Sequence, residues 1–328
     1  MNPESQNSTD LPPRGYIITR DELIGAAALI LPCIIPALSQ GLQFIAPGIS
    51  ACFLSISGNY RRTLWILAGL FIAGGIGLVL LGMPEEMLIL AQGICVAAIL
   101  VIFTWAGRTA PEALVACSLC LVVLSVTIMF LATGGRPLAV YQQITAQVGQ
   151  EFDKAVEIYK ANAGNGFPPE MEAIMNEMKA TMLSYFPGII GSVFIFLSLV
   201  NIHVLSLCGK IRNTCRVLGP EFQLWKMPQW LVWAFIVTGF MALYTDDSIS
   251  SAGRNAVAAI SIFYLVQGFA VMRFFFVAMR TPAYIRWLVY TLLGIQWYGL
   301  LAVLFIGLMD NWFDFRKRME KSGKEAAP

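Results

Sequence analysis

Nine stretches of almost unbroken apolar residues divide the chain, at about 22–39, 41–58, 63–83, 87–106, 111–133, 186–208, 229–245, 254–279 and 283–309. A helix rises ~1.5 Å per residue and the hydrocarbon core of a bilayer is ~30 Å thick, so about 20 residues cross it. Most of the runs meet that length. The first two are marginal: Pro32, Pro36 and Pro47 interrupt them, and only Ser39-Gln40-Gly41 separates them. They read either as two short spans or as one span with a re-entrant partner. None of the runs alternates between a lipid face and a lumen face, as barrel strands do. The pattern predicts an all-α fold, a polytopic transmembrane helical bundle of about eight to nine membrane segments.

One sizeable polar island, 136–183, interrupts the apolar runs. Ile144, Val148, Ala155, Val156 and Tyr159 recur on one helical face, with Gln150, Asp153, Lys154 and Glu157 opposite. After the turn at 162–169, Met171, Ile174, Met175, Met178 and Met182 form a second stripe. The two patterns predict an extracytoplasmic helical hairpin, serving as a lid or as a partner-binding element. A methionine stripe can ligate Cu(I), but with no His or Cys beside it this one reads as a soft packing surface. The chain thus divides into a disordered tail (1–20), N-terminal transmembrane helices (21–133), the hairpin (134–184), C-terminal transmembrane helices (185–310) and a basic tail (311–328).

Composition agrees with membrane as the solvent. Hydrophobic residues make up 57% and charged residues 13%, against about 25% charged in soluble domains. A net charge of +2 offers nothing for nucleic acid. The placement of the basic residues says more. With the N-terminus inside, the cytoplasmic loops receive Arg61, Arg62, Arg108, Lys210, Arg212, Arg216, Lys226, Arg280 and Arg286. Glu85, Glu86, the 136–183 island and the Asp246-Asp247 pair fall on the other side. Nine full crossings would then put Arg316, Lys317 and Arg318 outside. Either one run is not a simple crossing or the tail violates the rule, and the C-terminus is expected in the cytoplasm.

Candidate chemistry is sparse. There are seven cysteines and one histidine. Cys117-Ser118-Leu119-Cys120 has ligand spacing but no second pair, so buried thiols are expected rather than a metal site or a disulfide framework. A lone His203 cannot supply a catalytic triad and a metal site together. Neither an enzyme activity nor a cofactor is expected. The absence of a nucleotide-binding motif means that energised transport needs a partner. Polar residues inside apolar runs are costly, and Asn201, Gln267, Arg273 and Gln296, with Gln43 and Gln92, are the ones to explain. They serve either as interhelical hydrogen bonds or as the lining of a solute cavity among the sixth, eighth and ninth runs. For the cavity, Asn201, Gln267, Arg273 and Gln296 are the candidate substrate-binding residues. At the last junction Asp310, Trp312, Asp314 and Arg316 are the candidate interface anchors. Asp310 and Asp314, four apart on one helical face, could pair with Arg316, Lys317 or Arg318, or with a partner protein.

Several strings resemble a known family: Phe186-Pro187, Asn201, Trp225-Lys226-Met227-Pro228, Asn255, Gln267-Gly268-Phe269-Ala270-Val271, and Gly307-Leu308-Met309-Asp310-Asn311-Trp312-Phe313-Asp314-Phe315-Arg316. Over roughly 180–318 the chain resembles the YybS-like family of predicted bacterial membrane proteins, whose function is unknown. The resemblance implies a multi-pass protein of the bacterial inner membrane. It also implies a distant similarity to the substrate-binding subunits of energy-coupling-factor vitamin transporters, which dock on a transmembrane and ATPase module through an Ala-x-x-x-Ala face. Here the first run offers Gly25-Ala26-Ala27-Ala28 instead. The expectation is a non-ATPase subunit, embedded in the lipid bilayer, that binds or transports a small organic solute. The alternative is a structural or assembly protein acting through protein contacts.

Overall fold

The computed structural model describes residues 18–35, 42–56, 60–83, 86–132, 134–163, 168–212 and 221–319. Its elements are α1 (Arg20–Ile34), α2 (Ala46–Ser55), α3 (Tyr60–Leu80), α4 (Glu86–Trp105), α5 (Ala110–Ala132), α6 (Pro137–Ala163), α7 (Pro169–Ser184), α8 (Phe186–Arg212), a 3-10 turn (Phe222–Leu224), α9 (Trp230–Ala242), α10 (Asp247–Ala278), α11 (Ala283–Ile295) and α12 (Trp297–Phe313). The described residues thus form an all-α protein. The tail before residue 18, the 164–167 turn, the loop holding Cys215 and Arg216, and the tail beyond 319 lie outside them.

Five helices, α3, α4, α5, α8 and α10, are long and apolar enough to cross a bilayer. Helices α11 and α12 are bent by 109° and make a sixth if the pair is one span. This is fewer full-length crossings than the nine apolar runs suggest, and the reason is length. Helices α1, α2 and α9 have 15, 10 and 13 residues, which at ~1.5 Å each fall short of ~30 Å.

The first two helices form a pair whose outer ends sit together. Thr19 opens α1 with a capping box: its hydroxyl accepts the Glu22 N–H at 3.3 Å, and its own N–H donates to the Glu22 carboxylate at 2.8 Å. That carboxylate is fully buried and also pairs with Arg62, at the start of α3, at 2.8 Å. The end of α2 meets the same place, where the Thr63 hydroxyl donates to the Leu54 carbonyl at 3.2 Å.

Buried side chains of α2, α4 and α5 (Ala51, Leu54, Ala97, Leu100, Leu114) form one part of the core, and Met227, Tyr264 and Val271 another. Trp65, Leu80, Leu131, Trp233 and Phe240 point outward and are largely exposed, as a lipid-facing surface requires. Around α10 the backbones touch. A Cβ on Gly268 would lie 2.0 Å from the Val303 carbonyl, one on Gly307 2.0 Å from the Tyr264 carbonyl, and one on Gly253 2.3 Å from the Ala242 nitrogen. Small residues at such crossings let membrane helices pack without a hydrophobic drive.

Helices α6 and α7 are tied by Lys179–Asp153 and Lys160–Glu172 ion pairs at 2.6 and 2.8 Å. On their methionine stripe, Met171, Met175 and Met182 are partly covered, whereas Ile174 and Met178 are exposed. At the far end of the chain, α12 stops at Phe313 because Asp314 turns left-handed at φ 43°, a conformation Asp tolerates better than most residues. Asp314 therefore leaves the helix, and it does not share a helical face with Asp310.

Candidate functional site

The intramembrane polar residues resolve into two constructions. The first is at the start of α2, where Pro47 and Gly48 lie in the opening turn. Proline has no N–H, and its ring collides with the carbonyl four residues back, which suits the first turn of a helix and not the continuation of one from before it. In an unbroken helix the Gly48 N–H would bond to the Phe44 carbonyl. Here it donates to Asn201 Oδ1 on α8 at 2.7 Å, while Asn201 Nδ2 donates to that same Phe44 carbonyl at 2.9 Å and to Leu197 O at 2.8 Å. The carboxamide is inserted into the gap and satisfies both backbone groups, as hydrocarbon surroundings demand. Only glycine fits at 48: a Cβ there would lie 2.5 Å from the Asn201 carbonyl oxygen.

The same device occurs again at Pro187-Gly188, where α7 meets α8. Asn255 Oδ1 on α10 accepts the Gly188 N–H at 2.8 Å, and its Nδ2 donates to Ser184 O and Ser251 O, each at 2.9 Å. Sequence reasoning used Asn255 only as part of a resemblance and missed this role. The available signal was a repeated Pro-Gly at a helix start together with an Asn inside another apolar helix.

Beside the first staple lies a cavity of about 240 Å³ between α2, α4, α5 and α8. Its polar lining is three carboxamides, Gln43, Gln92 and Asn201, among apolar side chains such as Phe44, Ile89 and Phe194. Asn201 is committed to the staple. Gln92 Nε2 donates to Ser125 Oγ at 3.0 Å. Gln43 Oε1 is buried without a hydrogen-bond partner, a condition that costs ~1–3 kcal/mol unless something donates to it.

The second construction closes the end of α12 onto the 3-10 turn. Asp310 is 1% exposed; its Oδ2 accepts from Arg316 Nη2 at 2.8 Å and from Gln267 Nε2 at 3.2 Å. Gln267 Oε1 accepts the Met227 N–H at 2.9 Å. Arg316 also donates to the Gln223 and Trp225 carbonyls at 3.0 and 2.8 Å. Outside this knot, Asp314 pairs with Lys226 and with Lys317. The Lys226 hydrogen bond, helped by Lys317 against partial burial, holds the Asp314 carboxyl below its ordinary value. Asp310 Oδ1 is buried here without a hydrogen-bond partner; the other groups of the network are paired among side chains and backbone, and together they form a structural latch.

The four candidate lining residues are therefore not gathered in one cavity. Asn201 lines the 240 Å³ pocket. Gln267 belongs to the latch. Arg273 is exposed on α10, and Gln296 sits at the break between α11 and α12. Among the candidate anchors, Trp312 is 55% exposed, whereas Asp310 and Arg316 are buried. His203 is exposed on α8.

No curated protein and no solved structure matches the chain. The family described as Predicted membrane protein (DUF2232) matches residues 23–311, and the chain, with its apolar helices and polar interhelical staples, belongs to that family of membrane proteins.

Proposed function

We propose that this chain is a non-catalytic membrane subunit that binds a small, neutral, polar organic solute in the cavity between α2, α4, α5 and α8. The observation that carries this reading is the unpaired Gln43 Oε1 in a chamber whose other polar groups are also carboxamides. No charged side chain lines the chamber, which favours a neutral ligand that donates hydrogen bonds. Its ~240 Å³ lies below the ~300–1,000 Å³ of drug-sized sites, which favours a compact one. The resemblance to substrate-binding transporter subunits agrees with uptake, and the energy would come from a separate transmembrane and ATPase module.

The subunit resides in the bacterial inner membrane with both termini in the cytoplasm. Arg316 bonds to Trp225, and Lys226 to Asp314, so the basic end of α12 shares a side with the basic segment that follows α8. The 109° bend between α11 and α12 allows that return. The nine apolar runs then all enter the membrane, α1, α2 and α9 only part of the way, while α6 and α7 form an extracytoplasmic hairpin. A second reading, assembly through protein contacts, draws support from the exposed Ile158, Ile174 and Met178 on α6 and α7. Loss of a specific cross-linked partner on deletion of 136–180 would favour it.

A thermal-shift screen of small neutral solutes against the purified protein tests the proposal. Binding at about 100 times Kd adds ~2.7 kcal/mol to stability. At least one compound should raise Tm in the parent protein and none in Ile89→Trp, which fills the cavity. Equal shifts in the two proteins, or no shift in either, would count against it.

A further inference from the structure

The second staple also borders a cavity, of a different chemistry. Between α8 and α10 runs a groove of about 620 Å³, with Tyr185, Ser192, Phe196 and Leu199 on one wall and Ala258 and Phe269 on the other. Both walls are helices long and apolar enough to cross a bilayer. Past the Tyr185 hydroxyl at its end, the polar groups along it are used internally: Ser192 Oγ donates to the Gly188 carbonyl at 2.8 Å, and the Gly188 N–H is taken by Asn255. The lining holds no charged side chain. Beyond Tyr185 the groove therefore offers dispersion contacts and a wall free of unpaired donors, which is what a hydrocarbon chain needs.

We propose that this groove is a binding site for one acyl chain of a bilayer lipid, with the headgroup at the Tyr185 end. Length, volume and polarity agree on that occupant. From Tyr185, just ahead of α8, to Leu199 the wall advances 14 positions, ~21 Å at ~1.5 Å each, which reaches past the midplane of a ~30 Å hydrocarbon core. A methylene fills roughly the ~30 Å³ that a water takes in the liquid, so the volume holds about twenty of them, one chain and not two. A partner helix ~10 Å across and ~21 Å long displaces several times as much. Polarity falls in the right direction. Tyr185 joins α8 to the charged α7, whose Lys179 pairs with Asp153 of α6, and the groove runs from there to Leu199 and Phe269. The backbone staple at Gly188 holds α8 against Asn255, and a Cβ on Gly191 would lie 3.1 Å from that of Ala259. The two walls are thus fixed beside the groove and the site is preformed. This site is independent of the solute cavity beside the first staple.

The test is photo-crosslinking of the full chain in nanodiscs containing a phosphatidylcholine that carries a diazirine on one palmitoyl chain, with adducts mapped by peptide mass spectrometry. Adducts should concentrate on 185–199 and 258–269, above those on the outward face of α3 around Trp65. In Ala258→Trp they should fall by about tenfold, the change that 1.4 kcal/mol of lost binding gives, with labelling of α3 unchanged. Ser192→Phe, entering from the opposite wall, should give the same loss and replaces Ala258→Trp if that variant fails to fold. Equal labelling of the groove and α3 would show ordinary annular lipid and overturn the proposal. Undiminished groove labelling in a folded filled variant would overturn it too.

Discussion

Asn201 and Gly48 meet across 153 positions of the chain, the side-chain oxygen of one accepting the backbone N–H of the other at 2.7 Å. The contact joins three levels of description. A proline opens a helix, an inserted amide completes the hydrogen bonding of its first turn, and the insertion leaves room for a cavity beside it. Asn255 and Gly188 repeat the arrangement at 2.8 Å.

Removing either amide should be costly. Interhelical hydrogen bonds in membranes average ~0.6 kcal/mol, but Asn201→Ala also strands the Gly48 N–H and the Phe44 carbonyl, and an orphaned buried group costs ~1–3 kcal/mol. A loss of about 1–3 kcal/mol is expected for Asn201→Ala and, separately, for Asn255→Ala, read from unfolding in detergent. A change of only a few tenths in either would show that the staple is not needed.

The glycines divide into two groups by what surrounds them. Gly268→Val and Gly307→Val force side chains onto the Val303 and Tyr264 carbonyls and should prevent α10 and α12 from packing, so that little monodisperse protein is recovered. Gly69 and Gly77 on α3 have nothing within 4 Å of a built Cβ. Their alanine variants should stay within about 0.5 kcal/mol of the parent. Size-exclusion profiles of the four variants decide the point.

The latch makes a prediction about pairing. Asp310→Ala leaves the buried Arg316 guanidinium with two carbonyl acceptors and no counter-charge, and breaking a buried pair from one side costs ~3–5 kcal/mol. Arg316→Met should do the same to Asp310. The double variant should be less destabilised than the two single losses added together, and a double-mutant cycle of denaturation energies measures the difference. Additivity would mean that the pair contributes no coupling.

Asp314 sets a pH window. Its carboxyl is held below the ordinary 3.8, chiefly by Lys226, so the folded value is lower than the unfolded one. Its contribution is then present above the unfolded value and is lost as pH falls through the folded one. Amide protection of 310–319 should be flat from about pH 8 to about pH 5 and fall only on stronger acidification. Asp314→Asn should remove that acid step. The pair is partly exposed, so added salt should weaken the effect.

Much of the fold was legible because hydrocarbon imposes a blunt rule on composition, and α3, α4, α5, α8 and α10 each overlap most of a run that hydropathy marks, although α10 begins at Asp247, ahead of its run. The packing of the shorter runs was not legible. The ends of α1 and α2 are brought together by Glu22 meeting Arg62 and by Leu54 meeting Thr63, contacts between residues 9 and 40 positions apart. Asn201 and Gln267 stood out as expensive polar residues, and both are hydrogen-bonding groups between elements; Asn201 also lines the 240 Å³ cavity. Gln296 looked like a third and instead marks the bend between α11 and α12. A polar residue in an apolar run shows that something must be satisfied, whereas a broken backbone, a neighbouring side chain or a ligand can each be what satisfies it. The junction Asp310 to Arg318 shows the same limit: its charges pair internally as their spacing allowed, but Lys226 and the Trp225 carbonyl come from nearly 90 residues away.

Whether the cavity at Gln43, Gln92 and Asn201 holds a small solute can be read by mass spectrometry of the small molecules released from protein purified out of its native membranes, parent beside Ile89→Trp. At least one compact, neutral compound should be retained by the parent and lost from the variant, with the variant's elution profile and bound lipid unchanged. Identical small-molecule profiles from the two folded proteins would contradict it.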